Sequence, residues 1–536
     1  MTEQVALQVR KKARTSLVEK LQKRGTLASE SKSPLKRFIE PLTAKNALEN
    51  ELYFVITYLY GLATSYCSLV DMFNYVAQSE FKRCGRMFNR VKVLARTWHL
   101  GFVNALEEVA RNSKSALLRD FLERFSQMMK TGEMYDKFLM IEHEAYVVAY
   151  EAEYERSLKN VENLGNAYSA IVTSVTFVAI TLTLTQALLG TGGGSSFQAV
   201  STELGLALIS TLVLSVFVLY IVSPVDGFIY INKDLRCPKE FKRMKRLLVP
   251  SILASIALAV VLAVLPPTQP AMGWVLLGMS APLLPVGMLA KKADNAVRAK
   301  ENAFPTFIRT LGTTAGITGY STARALKLLL VRDFGILSTQ VKALHSRLAI
   351  GVDSNLCWRN LASECGSEMI RIFGGVYEAT VSLGGDPGEI GKMISRNMLR
   401  RLVLRAKRIQ VASALRAMIY PMHAIECALL AFMTTLLQFL VNMVNMGSQF
   451  NSSIGLFQSS ISPASIAPLF NGIMILMALT NAIALKFTEV SNNYRLLYHL
   501  AILLMMTGGV MVAVSFASNL LFKSMFNFQL LPVGSS

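Results

Sequence analysis

Seven apolar stretches, each about as long as a membrane-spanning helix, constrain this chain more than any other feature of its sequence. A helix needs about 20 mostly apolar residues to cross a bilayer. Only 17% of the residues are charged, against about 25% in a typical soluble domain. We therefore expect a polytopic membrane protein rather than a soluble enzyme. The predicted spans are residues 167–189, 204–223, 247–265, 272–290, 418–442, 467–487 and 498–521.

The connections between these spans differ sharply in charge. Those on one side, at 190–203, 266–271, 443–466 and 522–536, contain only Glu203 and Lys523 as charged residues. Nearly all other Lys and Arg residues lie on the opposite side. Because an excess of Lys and Arg marks the cytoplasmic side of a cell membrane, we expect the N-terminus inside and the C-terminus outside. The formal net charge of +20 is then concentrated on the cytoplasmic face.

Residues 52–70 allow two interpretations. They are uncharged over their whole length and could form an eighth span. That span would place residues 80–160, with 14 Lys and Arg, outside the cell. The distribution of positive charge therefore favours a buried helix of a water-exposed bundle.

The expected architecture is all-α, with two related helical bundles on the cytoplasmic side of about seven membrane helices. Apolar residues at helical spacing support the bundles, for example around Phe121 and Phe373. The predicted divisions are a basic arm and linker at 1–50, a first bundle at 51–166, four spans at 167–290, a second bundle at 291–417, and three spans with a short external end at 418–536.

The two predicted bundles also align with each other. Gly85 and Gly101 are 16 residues apart, as are Gly335 and Gly351. Glycines and apolar residues that match at fixed offsets indicate one helical module used twice. The matching positions are Val91 with Val341, Lys92 with Lys342, Leu94 with Leu344, Leu100 with Ile350 and Leu106 with Leu356.

Three segments carry a resemblance to a known family. They are LARTWHLGFVNALEEVA at 94–110, FPTFIRTLGTTAGITGYSTARAL at 304–326, and GGDPGEIGKMI at 384–394, which has Asp386 where the family has Glu. The chain resembles the type II secretion F-domain superfamily, which comprises the membrane platform proteins of type II secretion systems, type IV pili and archaella. Its length and the extra spans between its bundles are similar to the archaeal branch, to which the archaellum platform belongs.

The resemblance implies a non-catalytic platform in the cell membrane. Its implied partners are a cytoplasmic hexameric secretion ATPase and pilin-like or archaellin-like filament subunits. From the charged segments of the chain we further expect contact with membrane lipid and a homodimer. No nucleic-acid partner is expected. The platform would pass movement from the ATPase to subunits leaving the bilayer.

The sequence carries no motif for catalysis, a metal or a cofactor. The nearest match to a phosphate-binding loop ends in Gly391-Lys392, but Met393 follows where Ser or Thr would hold magnesium. The five histidines are scattered, and the six cysteines show no zinc spacing. We expect reduced thiols, no metal, no cofactor and no catalytic residue.

Two basic segments are candidate binding surfaces. The loop at 226–246 could fix the topology and contact anionic lipid, or it could dock an acidic partner. Residues 392–411 are basic, and residues 141–165 are acidic. These two segments could pair within one chain or across a homodimer, or the basic one could bind the ATPase. The candidate residues are Lys233, Arg236, Lys239, Lys242, Arg243, Lys245, Arg246, Arg400, Arg401 and Arg405.

Two polar residues lie within the predicted fifth span. His423 and Glu426 are three positions apart, so they share one face of a helix. Because an acid at membrane depth is costly, it is usually paired. A structural hydrogen bond to a residue of another span, such as Asn481, is the favoured interpretation, and a proton relay is the alternative.

Two other functional classes compete with the platform. A polytopic transporter would repeat its membrane half, whereas the repeat here lies in the bundles. A membrane scaffold unrelated to filaments is the second rival. The pattern Asn451-Ser452-Ser453 in a predicted external loop would permit glycosylation.

Overall fold

A computed structural model describes residues 34–189, 209–264, 271–450 and 463–529, except positions 66, 80, 82, 114, 225, 233, 234 and 320. Most of the predicted N-terminal arm, the candidate Lys233 and the possible glycosylation site at Asn451 lie outside these residues. Seventeen α-helices make up the described fold. They are α1 (Pro34–Ala63), α2 (Leu69–Gln78), α3 (Cys84–Lys92), α4 (Gly101–Arg111), α5 (Ala116–Thr131), α6 (Tyr135–Leu189), α7 (Ile209–Val222), α8 (Lys239–Val264), α9 (Ala271–Ser280), α10 (Leu283–Ile317), α11 (Thr322–Leu329), α12 (Ser338–Ala349), α13 (Ser354–Cys365), α14 (Glu368–Ser382), α15 (Pro387–Phe450), α16 (Pro463–Thr488) and α17 (Arg495–Gln529).

Six of the seven predicted spans lie in helices that are long and apolar enough to cross a membrane. These helices are α6, α8, α9 with α10, α15, α16 and α17. The remaining predicted span, 204–223, is described only over α7. The protein is an all-α polytopic membrane protein, as the sequence predicts.

The uncharged stretch at 52–70 is buried inside the protein rather than turned towards lipid. Leu52, Val55, Ile56 and Leu59 in α1 are fully buried. Their hydrophobic cluster contains residues from both predicted bundles, and the ring of Phe54 lies 5.3 Å from that of Phe373. The two bundles therefore share one core. We call the part formed by α1 to α5 with the start of α6 the first bundle, and the part formed by α10 to α14 with the start of α15 the second bundle.

The same structural features follow one another along the chain in both bundles. Equivalent positions are 252 residues apart, as for 49 and 301 and for 115 and 367. In the first bundle the hydroxyl of Ser115 caps α5 and donates to Glu49, 66 positions earlier. In the second bundle Ser367 caps α14 and donates to Glu301, again 66 positions earlier. The capped helix then ends at a glycine turn, and the long helix α6 or α15 follows.

The glycine alignment made from the sequence differs from this register by two residues. Gly101 and Gly351 both have positive φ. Gly101 is the first residue of α4, and Gly351 lies three residues before the start of α13. Gly85, by contrast, lies inside α3, where an added β-carbon would lie 3.3 Å from the carbonyl oxygen of Val76. Gly335 has positive φ in a short 3-10 turn. Connections of different length between equivalent helices explain the difference.

Two helices run continuously from the bundles into the apolar region. At 1.5 Å per residue, the 55 residues of α6 and the 64 residues of α15 are roughly 80 and 95 Å long. A bilayer core of about 30 Å accounts for only part of either length. The two helices cross closely at Gly165, where an added β-carbon would lie 2.1 Å from Leu415. Each of these two helices therefore belongs both to a bundle and to the apolar region.

Candidate functional site: the charged junction between the bundles and the membrane

The acidic and basic segments predicted from the sequence contact each other within one chain. Arg400 of α15 donates to Glu144 of α6 at 2.6 Å and lies 3.8 Å from Glu151. About two helical turns further along α15 towards the membrane, Lys407 pairs with Glu155. These pairs are partly exposed, so each contributes only about 0.2–1 kcal/mol. The intrachain alternative is the arrangement that this structure adopts.

Arg401 lies inside the protein rather than on a docking surface. Its side chain is 3% exposed, and it is 3.3 Å from the carboxylate of Asp226, which is 2% exposed. The guanidinium also donates to Asn50 and lies about 5 Å from the rings of Tyr53 and Tyr150. A partner could reach this cation only if the junction opened.

Arg405 is similarly enclosed. It donates to both carboxylate oxygens of Glu301 at 2.8 Å, and to the carbonyl oxygen of Gly227 at 2.6 Å. Glu301 is the acid that also accepts the hydroxyl of Ser367. Because a buried carboxylate needs several donors to replace its water, Arg405 and Ser367 together satisfy Glu301. This contact joins α15 to α10 and to the N-terminus of α14.

Arg408, the next residue on the same face, connects two loops. It donates to the carboxylate of Asp226 at 2.9 Å and to the carbonyl of Pro224 at 2.6 Å. It also donates to the carbonyls of Phe487 and Thr488, each at 3.0 Å. One side chain of α15 therefore joins the connection after α7 to the C-terminal end of α16.

Asp226 remains ionised at this junction. Burial by itself would raise its pKa, but the positive charges of Arg401, Arg408 and Arg405 outweigh burial and lower the pKa below its ordinary value. The hydroxyl of Tyr154 donates to the same carboxylate. Asp226 is thus a buried anion held between cations of α15.

The chain after α7 docks on the second bundle through its backbone. The amide of Tyr230 donates to the carbonyl of Gly366 at 3.1 Å, and the amide of Glu368 donates to the carbonyl of Phe228 at 3.2 Å. The hydroxyl of Ser363 donates to the carbonyl of Arg236 at 3.0 Å. This connection therefore belongs structurally to the second bundle as well as to the membrane region.

A second cluster of charges surrounds Glu489, between α16 and α17. Its carboxylate lies 3.3 Å from Arg495, 3.4 Å from Arg416 and 3.2 Å from the imidazole of His499. The neighbouring carbonyl of Val490 accepts from Arg298 at 2.7 Å. Burial would raise the pKa of Glu489, but the hydrogen bond from His499 and the nearby positive charges lower it to about 2.

The cations at the start of α8 are placed very differently. Six candidates from the predicted basic loop are exposed, and within the described part of the chain none has an ion-pair partner. They are Arg236, Lys239, Lys242, Arg243, Lys245 and Arg246.

The membrane-depth pair makes hydrogen bonds to other spans. His423 contacts Asn481 of α16 at 3.2 Å and Thr507 of α17 at 2.9 Å. Glu426, which is 3% exposed, accepts from Thr173 of α6 at 3.2 Å. It is thus His423 that contacts Asn481, and Glu426 is bonded to a different helix.

A cleft of about 690 Å³ separates α1 from α14 and opens beside Arg401 and Arg405. Its other charged side chains include Glu368 and Arg371, which pair with each other at 2.6 Å. No group of three or more His, Cys, Asp or Glu able to hold a metal occurs in the described ranges. All six cysteines are free thiols.

Sequence reasoning missed Asp226, Glu301 and Glu489 as functional residues. A signal for Glu301 is present, because Val297, Glu301 and Phe304 follow the same i, i+4, i+7 spacing as a buried apolar stripe. Arg401, Arg405 and Arg408 have this spacing too. Asp226 and Glu489 lie in connections, where helical spacing gives no information.

Two known proteins are similar to this chain over most of its length. One is named Flagella accessory protein J, from Methanocaldococcus jannaschii, and is 26% identical over 478 residues, covering 86% of this chain and 83% of that protein. The other has the same name, comes from Methanococcus voltae, and is 23% identical over 508 residues, covering 91% and 88%. No family model and no solved structure matches the chain.

Proposed function

We propose that this protein is the non-catalytic membrane platform of an archaellum or a type IV pilus-like filament. A cytoplasmic hexameric secretion ATPase would move its bundles, and its membrane helices would act on filament subunits in the bilayer. The names of the two similar proteins and the resemblance of the bundles to secretion F-domains support this proposal.

The observation that carries the proposal is the continuity of α6 and α15 from the bundles into the membrane region. A single helix that belongs to both regions can pass a displacement from one to the other without an intervening loop. The buried pairs of Arg401 with Asp226 and of Arg405 with Glu301 join α15 to the connection after α7 and to α10. We infer a cytoplasmic location for both bundles, an external C-terminus and assembly as a homodimer.

The ATPase would engage the end of the second bundle that is furthest from the membrane. From residue 290 to its end at Ile317, α10 extends about 40 Å beyond the apolar segment. Ile317, Leu328 and Val331 are 86%, 60% and 94% exposed there. Arg324 and Lys327 in α11 add positive charge beside them. This surface suits a partner with an apolar patch and acidic residues.

Co-purification of the full-length chain with the secretion ATPase of the same host tests the proposal. We expect the L328S/V331S variant to lose at least tenfold in ATPase affinity. The I141S variant is the matched control, because Ile141 is 62% exposed on α6 of the first bundle.

The same variants should be examined in cells by electron microscopy for filaments. A strain without this protein should lack filaments and retain solute uptake, whereas a transporter would give the reverse. Normal filaments in that strain, or equal ATPase binding by all variants, would refute the proposal.

A further inference from the structure

Helix α8 has one packed side and one open side. Phe241, Met244 and Ser255 are buried against the rest of the protein. On the opposite side, Leu253 is 62% exposed and Val264 is 79% exposed. Large apolar side chains that remain open on a helix of membrane-spanning length indicate contact with lipid chains. The open side of α8 is therefore its lipid-facing side.

Four of the exposed cations lie on this same side. Lys239, Lys242, Arg243 and Arg246 are spaced i, i+3, i+4, i+7, so they form one stripe along the first two turns of α8. All four are exposed, and none has an ion-pair partner among the residues that the structure describes. We call these four residues the cationic stripe.

The cationic stripe continues directly into the lipid-facing apolar stripe. At about 100° per residue, Val249, Leu253 and Val260 follow Arg246 on the same side of the helix. They are 61%, 62% and 57% exposed. Lys245 points roughly 100° away from the centre of the stripe, and Arg236 precedes the helix. Arg236 and Lys245 are therefore natural controls within the same loop.

The position of the cationic stripe above the lipid-facing apolar stripe distinguishes between the two ligands that the basic loop could bind, anionic lipid and an acidic protein. Acyl chains cover the lipid-facing side of a membrane helix. One or two turns closer to the membrane surface, the same side of the helix contacts the headgroups of those lipid molecules. Lys and Arg side chains can extend along a helix so that their charges reach this level. We propose that the cationic stripe of α8 is a binding site for the phosphate groups of anionic membrane lipids, rather than a docking site for an acidic protein.

The test compares two double variants that remove the same charge, K239Q/R246Q in the stripe and R236Q/K245Q outside it. The full-length protein in neutral detergent is titrated with dioctanoyl phosphatidylglycerol or dioctanoyl phosphatidylcholine, and bound lipid is counted by native mass spectrometry. A cation near an anionic surface contributes about fivefold in affinity, so K239Q/R246Q should lose roughly thirtyfold for phosphatidylglycerol. The control should lose less than threefold, and glycerol phosphate should not compete.

Several results would overturn this assignment. Equal losses in both double variants would show that only net charge matters, and competition by glycerol phosphate would indicate a site for small anions. If K239Q/R246Q released the secretion ATPase but kept its phosphatidylglycerol, the stripe would be a protein-docking site. Thermal unfolding in neutral detergent checks that both variants are folded. The proposal does not depend on the filament function, because the lipid titration is performed without any partner protein.

Discussion

At the scale of single residues, the most consequential feature is the anion at Asp226. A soluble loop would expose this residue to water, but here it is enclosed by Arg401, Arg408 and Tyr154. Removing one member of a buried ion pair leaves the other charge uncompensated. The contacts of Asp226 therefore contribute to stability mainly as a group.

Asp226→Asn should destabilise the protein by about 3 kcal/mol, because Arg401 and Arg408 would remain buried without their counter-charge. Thermal unfolding of the purified protein measures the effect as a fall in Tm. Glu389→Gln is the control, since Glu389 pairs with Lys392 on the exposed part of α15. Its effect should stay within about 0.5 kcal/mol. Equal Tm values for the two variants would contradict the structural role of Asp226.

Stability should also fall in acid through Glu489. Its pKa is lowered to about 2 in the folded protein, so the fold favours the ionised form. This contribution is complete above the ordinary pKa of the group, 4.5, and is lost as the pH falls towards 2. The Glu489→Gln variant should be less stable than the unmodified protein at pH 7. Between pH 5 and pH 3, however, its Tm should fall by a smaller amount. Parallel Tm curves for both proteins would exclude this contribution.

At the scale of helices, two of the sequence segments that carry the family resemblance meet at one crossing. Gly312 of α10 faces the start of α15, where an added β-carbon would lie 2.2 Å from the carbonyl oxygen of Pro387. Across the same contact, a β-carbon on Gly391 would lie 2.8 Å from the carbonyl oxygen of Ile308. Close packing of the two backbones thus explains why Gly312 and Gly391 are glycines.

Gly312→Ala should therefore separate α10 from α15 and cost about 1–3 kcal/mol. Gly316→Ala, one turn later in α10, is a matched control because nothing lies within 4 Å of its added β-carbon. That control should be neutral or stabilising by up to about 1 kcal/mol, since alanine favours helix. Thermal unfolding of both variants distinguishes packing from helix propensity. A Gly312→Ala protein as stable as the control would show that the crossing can relax.

At the scale of the whole molecule, long apolar stretches predict the membrane spans, and the distribution of Lys and Arg predicts the buried position of α1. Matching glycines and apolar residues predict the internal repeat, although two residues out of register. The burial of the Arg401 and Arg405 side chains could not be predicted from the sequence. The Lys and Arg residues of segment 392–411 lie on several faces of one helix. The composition of the segment therefore does not show which of them form ion pairs in the protein interior. Asp226 acquires its role only when the chain after α7 folds onto the second bundle. Such long-range contacts carry no local sequence signal.

The bonds of Arg408 limit how α15 can move. Its guanidinium donates to the backbone carbonyls of Pro224, in the connection after α7, and of Phe487 and Thr488, at the end of α16. Turning α15 about its own axis by one residue, about 100°, would swing the guanidinium away from all three acceptors at once. Tilting α15 as a rigid body together with the segments that carry these acceptors would preserve the hydrogen bonds of Arg408. The hydrogen bonds of Arg408 are therefore compatible with a change in the tilt of α15 and oppose its rotation about the helix axis.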